Sequence, residues 1–160
     1  MARSTQSVRY RTNLFGRLQL NGESAIAFLS VKPVYANLIL DGTKRYEFRK
    51  ARLRGNLSHV IIYSTSPVKK IVGIAEVARV KKGSPSLTWK QTKSRAGISR
   101  SAFREYFSGS GAAITLSLRR VVRLAKELDP TEVRNGFRVP QSFSYVDVRF
   151  FNRVLAAGLK

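Results

Sequence analysis

The segment Gly42-Thr43-Lys44-Arg45-Tyr46-Glu47-Phe48-Arg49 decides the fold of this chain. Its glycine follows an apolar pattern of helical spacing, and glycine commonly ends a helix because it adopts the left-handed conformation without strain. Aromatic and charged residues then alternate, which predicts a strand. Tyr46 and Phe48 would share one face of that strand. Glu47 and Arg49 would share the other, so the segment predicts a helix, a turn and a strand that carries an ion-forming pair.

Outward from this segment, short apolar strands alternate irregularly with short helices. Strands are predicted at residues 25–31, 60–63, 70–80 and 113–118 (extending toward residue 124), and residues 145–150 are the last segment before the tail. Helices are predicted to begin near Pro33, Ser84 and Ser99, since proline suits a first helical position and serine suits an N-cap. The order lacks a regular strand–helix–strand repeat. It therefore predicts an α+β fold, a small mixed β-barrel with helices packed on its outside.

The chain of 160 residues is expected to form one domain with a single modest core. Residues 1–24 are predicted to be a basic, flexible N-terminal arm, because they combine several arginines with few apolar side chains. Residues 25–150 are predicted to be the folded domain, and residues 151–160 a short C-terminal tail.

The net charge lies far outside the usual range for a domain of this size. There are 30 Lys and Arg against 9 Asp and Glu, which gives +21 at pH 7. A field of this size attracts polyanions, so nucleic acid is the leading partner class. No membrane partner is expected, because no apolar run approaches the roughly 20 residues that span a bilayer.

Several classes of site are not expected. The chain has no cysteines, which excludes disulfides and thiol chemistry. Its single histidine, His59, begins an apolar strand, and its acids are scattered, so neither a metal site nor a bound cofactor is predicted. The N-terminus lacks the apolar core of a secretion signal. An intracellular protein, cytoplasmic or associated with nucleic acid, is expected.

The glycine, lysine, glutamate and arginine of residues 42–49 resemble the signature of the ASCH domain, a relative of the RNA-binding PUA domains. Four further segments resemble parts of that family in the same order: residues 29–33 (LSVKP), 62–73 (IYSTSPV and IVG), 97–109 (GIS, F and YFSG) and 140–143 (PQSF). The resemblance covers residues 28 to about 145. It implies a PUA-like β-barrel in which the signature lines a cleft between the first helix and the barrel.

The family resemblance also implies two kinds of activity. One branch resembles amidohydrolases that remove an acyl group from modified cytidine, and other members are suggested to cut RNA. In the amidohydrolase pattern a lysine stands as at Lys44, but a threonine stands where this chain has Glu47. A later catalytic glutamate has no counterpart near Ala96. These departures favour binding over catalysis.

Lys44, Glu47 and Arg49 are the central candidates for a functional site. Lys44 supplies a positive charge suited to phosphate, or a base if burial lowers its pKa. Glu47 is able to accept hydrogen bonds from base amino groups, and Arg49 offers a planar donor fork for phosphate. The structural alternative is that Glu47 and Arg49 simply pair. If the protein is catalytic, Lys44 and Glu47 are the candidate catalytic residues.

Further nucleic-acid contacts are predicted outside the signature. Trp89 is flanked by Lys90 and Lys93, which suits it to stack an unpaired base. The hydroxyls of residues 64–66 either bind phosphate or belong to a plain turn. The full set predicted to bind nucleic acid is Lys32, Lys44, Glu47, Arg49, Ser64, Thr65, Ser66, Lys69, Lys70, Trp89, Lys90 and Lys93.

Three functions stay open at this point. Charge and family resemblance together favour a nucleic-acid-binding module, above all for RNA, with a nucleotide in the cleft. The second is a hydrolase that acts on RNA or on a modified nucleoside. The third is a DNA-binding regulator or a reader of modified bases.

Overall fold

A six-stranded mixed sheet organises residues 24–160, the part of the chain that the computed structural model describes. The predicted arm of residues 1–24 lies, except for Ser24, outside the described residues. The strands are β1 (Ala25–Val31), β2 (Tyr46–Arg49), β3 (Leu57–Ser64), β4 (Lys70–Gly83), β5 (Ala113–Leu128) and β6 (Phe143–Val146). The α-helices are α1 (Pro33–Leu40), α2 (Pro85–Thr92), α3 (Arg100–Tyr106), α4 (Pro130–Val133) and α5 (Val148–Gly158), and a 3-10 turn spans Lys93–Arg95.

The strand order across the sheet is β2-β5-β4-β3-β1-β6, and it makes β2 and β6 the two edges. β1 runs parallel to β3, and the other neighbours pair antiparallel. β1 is buried at all seven positions, as expected for a parallel strand covered on both faces. The sheet curls into a half-barrel with helices around it. This confirms the predicted α+β class and the mixed, barrel-like sheet.

Alternation along the strands divides the apolar side chains between the two faces of the sheet. On β1, Leu29 and Val31 pack inside the half-barrel with Ile39 of α1. The intervening Ile26 and Phe28 point to the other face, where they pack against α5. This division follows from the period of two in a strand. It leaves the sheet with a core on each side.

The C-terminal residues 148–158 form a helix, whereas the sequence analysis placed the end of the domain at residue 150 and a short tail at 151–160. β6 ends at Val146, and the Asp147 side chain accepts a hydrogen bond from the Phe150 N–H at 2.8 Å, which caps α5. The reason is the apolar spacing of the segment, which matches one face of a helix. The residues buried on that face are Phe150, Phe151, Val154 and Leu155. Burying each such side chain stabilises the fold by about 1.5–3 kcal/mol.

Helices α2 and α3 cover the outer face of β2 through an aromatic cluster. Phe48 of β2 packs edge-on against Phe103 of α3, with ring centroids 5.1 Å apart, and Phe107 completes the group. Both helices begin where the sequence predicts, since Ser84 and Ser99 accept hydrogen bonds from N–H groups in the first turns. The cluster therefore fixes the two helices over the strand that carries the signature.

Candidate functional site

The structure brings the three central signature residues into one buried group, called here the charged cluster. Arg49 donates from Nη2 to Oε1 of Glu47 at 2.9 Å, because alternate residues of β2 share a face. The Nζ of Lys44 lies 3.8 Å from Oε2 of Glu47. The exposed fractions of Lys44, Glu47 and Arg49 are 2%, 7% and 6%. The pairing proposed as the structural alternative is thus present, and the lysine joins it.

Arg49 connects the two edges of the curled sheet. Its Nη1 donates to the backbone oxygen of Ser142 at 3.1 Å and to its Oγ at 3.2 Å, just before edge strand β6. Its Nη2 also donates to the Ser30 carbonyl on β1 at 3.0 Å. Both terminal nitrogens of the predicted phosphate fork are therefore engaged by protein acceptors. Ser142 belongs to the PQSF segment, but sequence reasoning did not include it among the site residues.

Lys44 is enclosed by a backbone turn and by aromatic rings. Its Nζ donates to the Ala96 carbonyl at 2.7 Å and lies 4.6 Å from the centre of the Phe48 ring and 5.6 Å from that of Tyr35. Burial lowers the pKa of Lys44, and Arg49 adds to that effect, while Glu47 opposes it. The net lowering gives the neutral amine a larger share at a given pH than an exposed lysine has.

Ala96 lies in the region where the amidohydrolase pattern implies a second catalytic carboxylate. Its side chain is fully buried, and its carbonyl faces the Lys44 ammonium. A methyl group supplies neither charge nor a proton there. The residue at which this chain departs from the amidohydrolase pattern therefore contacts Lys44 directly.

Tyr106 is a residue that sequence reasoning missed as a site candidate. It lies at the end of α3 and is 39% exposed. Burial of its hydroxyl raises the pKa of Tyr106, while Arg49 opposes this and Glu47 adds to it. Lys50 Nζ lies 4.8 Å from the ring centre. The residue pattern does not separate Tyr106 from its buried neighbour Phe107, and only the docking of α3 on β2 does.

Five exposed cations on α2, the 3-10 turn and α3 form what we call the basic helical face. Residues 85–106 contain a single acid, Glu105. None of the five cations forms an ion pair with another residue in the described range. Trp89 lies on the same helices but packs its ring on Phe103 at 5.1 Å, so part of it belongs to the aromatic cluster. The face consists of Lys90, Lys93, Arg95, Arg100 and Arg104.

The remaining predicted contacts lie around the β3–β4 turn, a separate region. The Thr65 N–H donates to the Val31 carbonyl at 2.9 Å, so this turn lies next to exposed Lys32. Ser64 is buried, Ser66 and Lys69 are exposed, and Lys70 lies 3.9 Å from a carboxylate oxygen of Asp129. β4 begins here, and α2 begins beyond its far end. The structure thus divides the predicted set between this turn and the charged cluster with its helices.

Residues 24–160 contain neither a metal-binding cluster nor a membrane-spanning helix. No group of three or more His, Cys, Asp or Glu suited to hold a metal ion occurs among them. None of the helices in this range has the length and apolar character needed to cross a bilayer. His59 is buried on β3, between β4 and β1, with its ring 5.2 Å from that of Phe151.

Comparison with known proteins gives consistent matches. Residues 29–132 match the family model of the ASCH domain, which includes all of the charged cluster. A Zymomonas mobilis protein named ASCH domain-containing ribonuclease is 31% identical over 123 residues, or 75% of this chain and 83% of that protein. The resemblance inferred from the motifs is confirmed.

Solved structures agree with the family match. The crystal structure of ASCH from Zymomonas mobilis aligns with a TM-score of 0.77 and 27% identity, covering 82% of this chain and 94% of that one. The N-terminal domain of McrB from Staphylothermus marinus aligns with a TM-score of 0.56 and 14% identity, covering 83% of this chain and 94% of that domain. The second likeness shows the fold alone.

Proposed function

This chain belongs to the ASCH domain family, and on that premise we propose that it binds RNA and cleaves it, with Lys44 as the base. The observation that carries the proposal is the buried amine of Lys44, whose pKa is lowered and whose Nζ lies 3.8 Å from Glu47. A lysine with a lowered pKa is partly neutral at a pH at which an exposed lysine is fully protonated. Its neutral amine is able to accept a proton. The relative named a ribonuclease supports RNA as the substrate.

The basic helical face holds the RNA backbone. Phosphate contacts of exposed cations give affinity without sequence preference and weaken as salt rises. The carbonyl of Arg95 accepts a hydrogen bond from the Arg45 N–H at 2.9 Å, and that of the next residue accepts one from Lys44. The face and the charged cluster therefore share one turn. A strand held on the face runs past the cluster.

Tyr106 and Lys50 stand where an unpaired base is able to stack. An exposed tyrosine ring offers an apolar surface to any base, and the neighbouring ammonium attracts the adjacent phosphate. Arg49 has its terminal donors engaged within the protein, so its role is to hold Glu47 beside Lys44. Base stacking and phosphate binding thus fall to residues outside the charged cluster.

The reaction is an intramolecular transesterification of the RNA phosphodiester. The neutral amine of Lys44 takes the proton of a ribose 2′-hydroxyl, and the oxygen attacks the adjacent phosphorus. The bond to the 5′ oxygen breaks, and that oxygen takes a proton from water. The hydroxide that is left takes the proton from Lys44, which returns the amine to its neutral form. The products are a 2′,3′-cyclic phosphate and a 5′-hydroxyl end. Since the Lys44 side chain is 3% exposed, the turn at Ala96 and Gly97 moves aside when substrate enters, and the bound nucleotide takes its place in keeping water from the amine.

The test compares wild-type protein with Lys44→Met on a fluorescent single-stranded RNA. We expect cleavage to fall about 10²–10⁴-fold, because that is what a general base contributes, with RNA affinity within about twofold. Lys126→Met is the matched control, since Lys126 is exposed on β5 and its substitution removes the same charge. Products are identified by mass, and the same sequence with 2′-O-methyl groups is expected to bind without being cut.

Three outcomes would contradict the proposal. Equal cleavage by wild type and Lys44→Met points to a contaminating nuclease. Cutting of the 2′-O-methyl RNA, or products with a 5′-phosphate, excludes attack by the 2′-hydroxyl. Tighter binding to duplex DNA than to RNA, at matched salt, favours the DNA-directed alternative. We do not extend the proposal to deacylation of modified cytidine, because Ala96 offers no carboxylate beside Lys44.

A further inference from the structure

We infer that Gly97 is the positioning residue of Lys44: the absence of a side chain there lets the backbone close over the lysine stem and hold its ammonium on the Ala96 carbonyl. This inference rests on the proposed function only in giving Lys44 a role in RNA cleavage. The geometry of the contact stands on its own.

The contact between Gly97 and Lys44 is too close to admit a side chain. A Cβ built on Gly97 would meet the Lys44 Cβ at less than any van der Waals separation, with Cγ at 2.7 Å and Cδ at 3.0 Å. Three consecutive carbons of the lysine thus run directly beneath the glycine. Two of them lie near the backbone of Lys44 and have little freedom to move. Any side chain at residue 97 therefore displaces either the turn or the lysine.

The backbone on both sides of Gly97 locks this arrangement. The carbonyls of Arg95 and Ala96 accept hydrogen bonds from Arg45 N–H and Lys44 Nζ at 2.9 and 2.7 Å. Gly97 itself adopts φ +62°, which disfavours other residues. Two successive residues of the turn are therefore tied to two successive residues before β2. The turn closes on Lys44 in one register.

The turn determines how far the lysine is separated from water. The charged and titratable groups that face Lys44 are Glu47 and Arg49 from β2 and Tyr35 from α1. Tyr106 from α3 interacts electrostatically with Glu47 and Arg49. Burial is the largest cause of the lowered pKa of Lys44. If the turn lifts, water reaches the ammonium, and its pKa moves back toward the ordinary value for lysine.

The experiment is an NMR titration of protein carrying ¹³C-labelled lysine, with the Lys44 signal identified by its loss in Lys44→Met. We expect the midpoint of Lys44 to move to higher pH in Gly97→Ala. Gly109→Ala is the matched control, because Gly109 also has positive φ, at +75°, but no atom within 4 Å of an added Cβ. Its Lys44 midpoint should equal that of wild type. The low-pH limb of the RNA cleavage profile should move with the midpoint in Gly97→Ala.

The two proposals fail in different ways. An unchanged Lys44 midpoint in Gly97→Ala, or an equal change in Gly109→Ala, overturns the inference about Gly97. If the Lys44 midpoint changes in Gly97→Ala but neither wild type nor any variant cleaves RNA, the inference about Gly97 stands and the proposed function is overturned. If Gly97→Ala is too unstable to titrate, the same substitution is made in a Lys44→Gly background. There we expect its effect on the unfolding equilibrium constant to be at least about tenfold smaller, and an equal effect overturns the inference.

Discussion

The charged cluster and the basic helical face are both cationic and share one turn of the chain, yet they are built in opposite ways. In the cluster, Lys44 and Arg49 are buried around Glu47 and bonded to backbone carbonyls. On the face, five cations are exposed and form no ion pairs within the described residues. A buried pair is screened little by salt and is costly to break, whereas exposed charges are screened and act at long range. The comparison teaches that the exposed cations supply a diffuse positive field, while a few buried charges organise the cluster.

The largest effect should come from breaking the cluster at Arg49. Arg49→Met leaves the Glu47 carboxylate and the carbonyls of Ser30 and Ser142 without their main donor. We expect a loss of about 3–5 kcal/mol in the free energy of unfolding, measured with denaturant. Arg104→Met, on the basic helical face, should change it by no more than about 0.5 kcal/mol. Similar losses in the two variants would remove the distinction between the regions.

A second prediction concerns how salt acts on RNA binding. The triple variant Lys93→Gln, Arg95→Gln, Arg100→Gln removes three charges from the basic helical face. We expect the plot of log affinity against log salt concentration to become shallower by about two, since each contact with a single strand contributes about 0.7. The measurement is a fluorescence titration at several salt concentrations.

The control for this prediction removes the same charge elsewhere. Lys32→Gln, Lys69→Gln, Lys126→Gln changes exposed lysines outside the basic helical face, two of them around the β3–β4 turn. We expect its salt slope to stay near that of wild type. An equal loss of slope in both triple variants would mean that net charge, and not the helical face, holds the RNA.

The smallest effect is the pH dependence that Lys44 contributes to stability. Because burial lowers its pKa, the folded state binds fewer protons than the unfolded state between the folded pKa and the ordinary value of 10.5. The cost of the buried ammonium is fully present below this window and disappears above it. Stability of wild type relative to Lys44→Met should therefore rise as pH increases toward 10.5, measured by denaturant unfolding. Lys126→Met corrects for the loss of one charge, and a flat or falling difference would contradict the prediction.

Part of the fold and site could be predicted because the signals are local. Serine caps, first-turn prolines and the glycine after α1 depend on the nearest few residues, and the structure has those helices where the sequence predicts them. The pairing of Glu47 with Arg49 follows from strand alternation alone. The α5 helix was missed, although Phe150, Phe151, Val154 and Leu155 follow helical spacing, because the apolar residues just before it favour a strand.

The sequence by itself determined the family, the α+β class, the excess of positive charge and the three residues of the charged cluster. Each of these is carried by residue identity or by spacing along the chain. Tertiary structure alone decided that Arg49 joins the two sheet edges, that Tyr106 stays exposed beside Lys50, and that Gly97 covers Lys44. Those contacts join residues far apart in the chain: 52 residues separate Lys44 from Ala96, and 93 separate Arg49 from Ser142. No local pattern encodes such a distance, since it depends on how the sheet curls and where α2 and α3 dock.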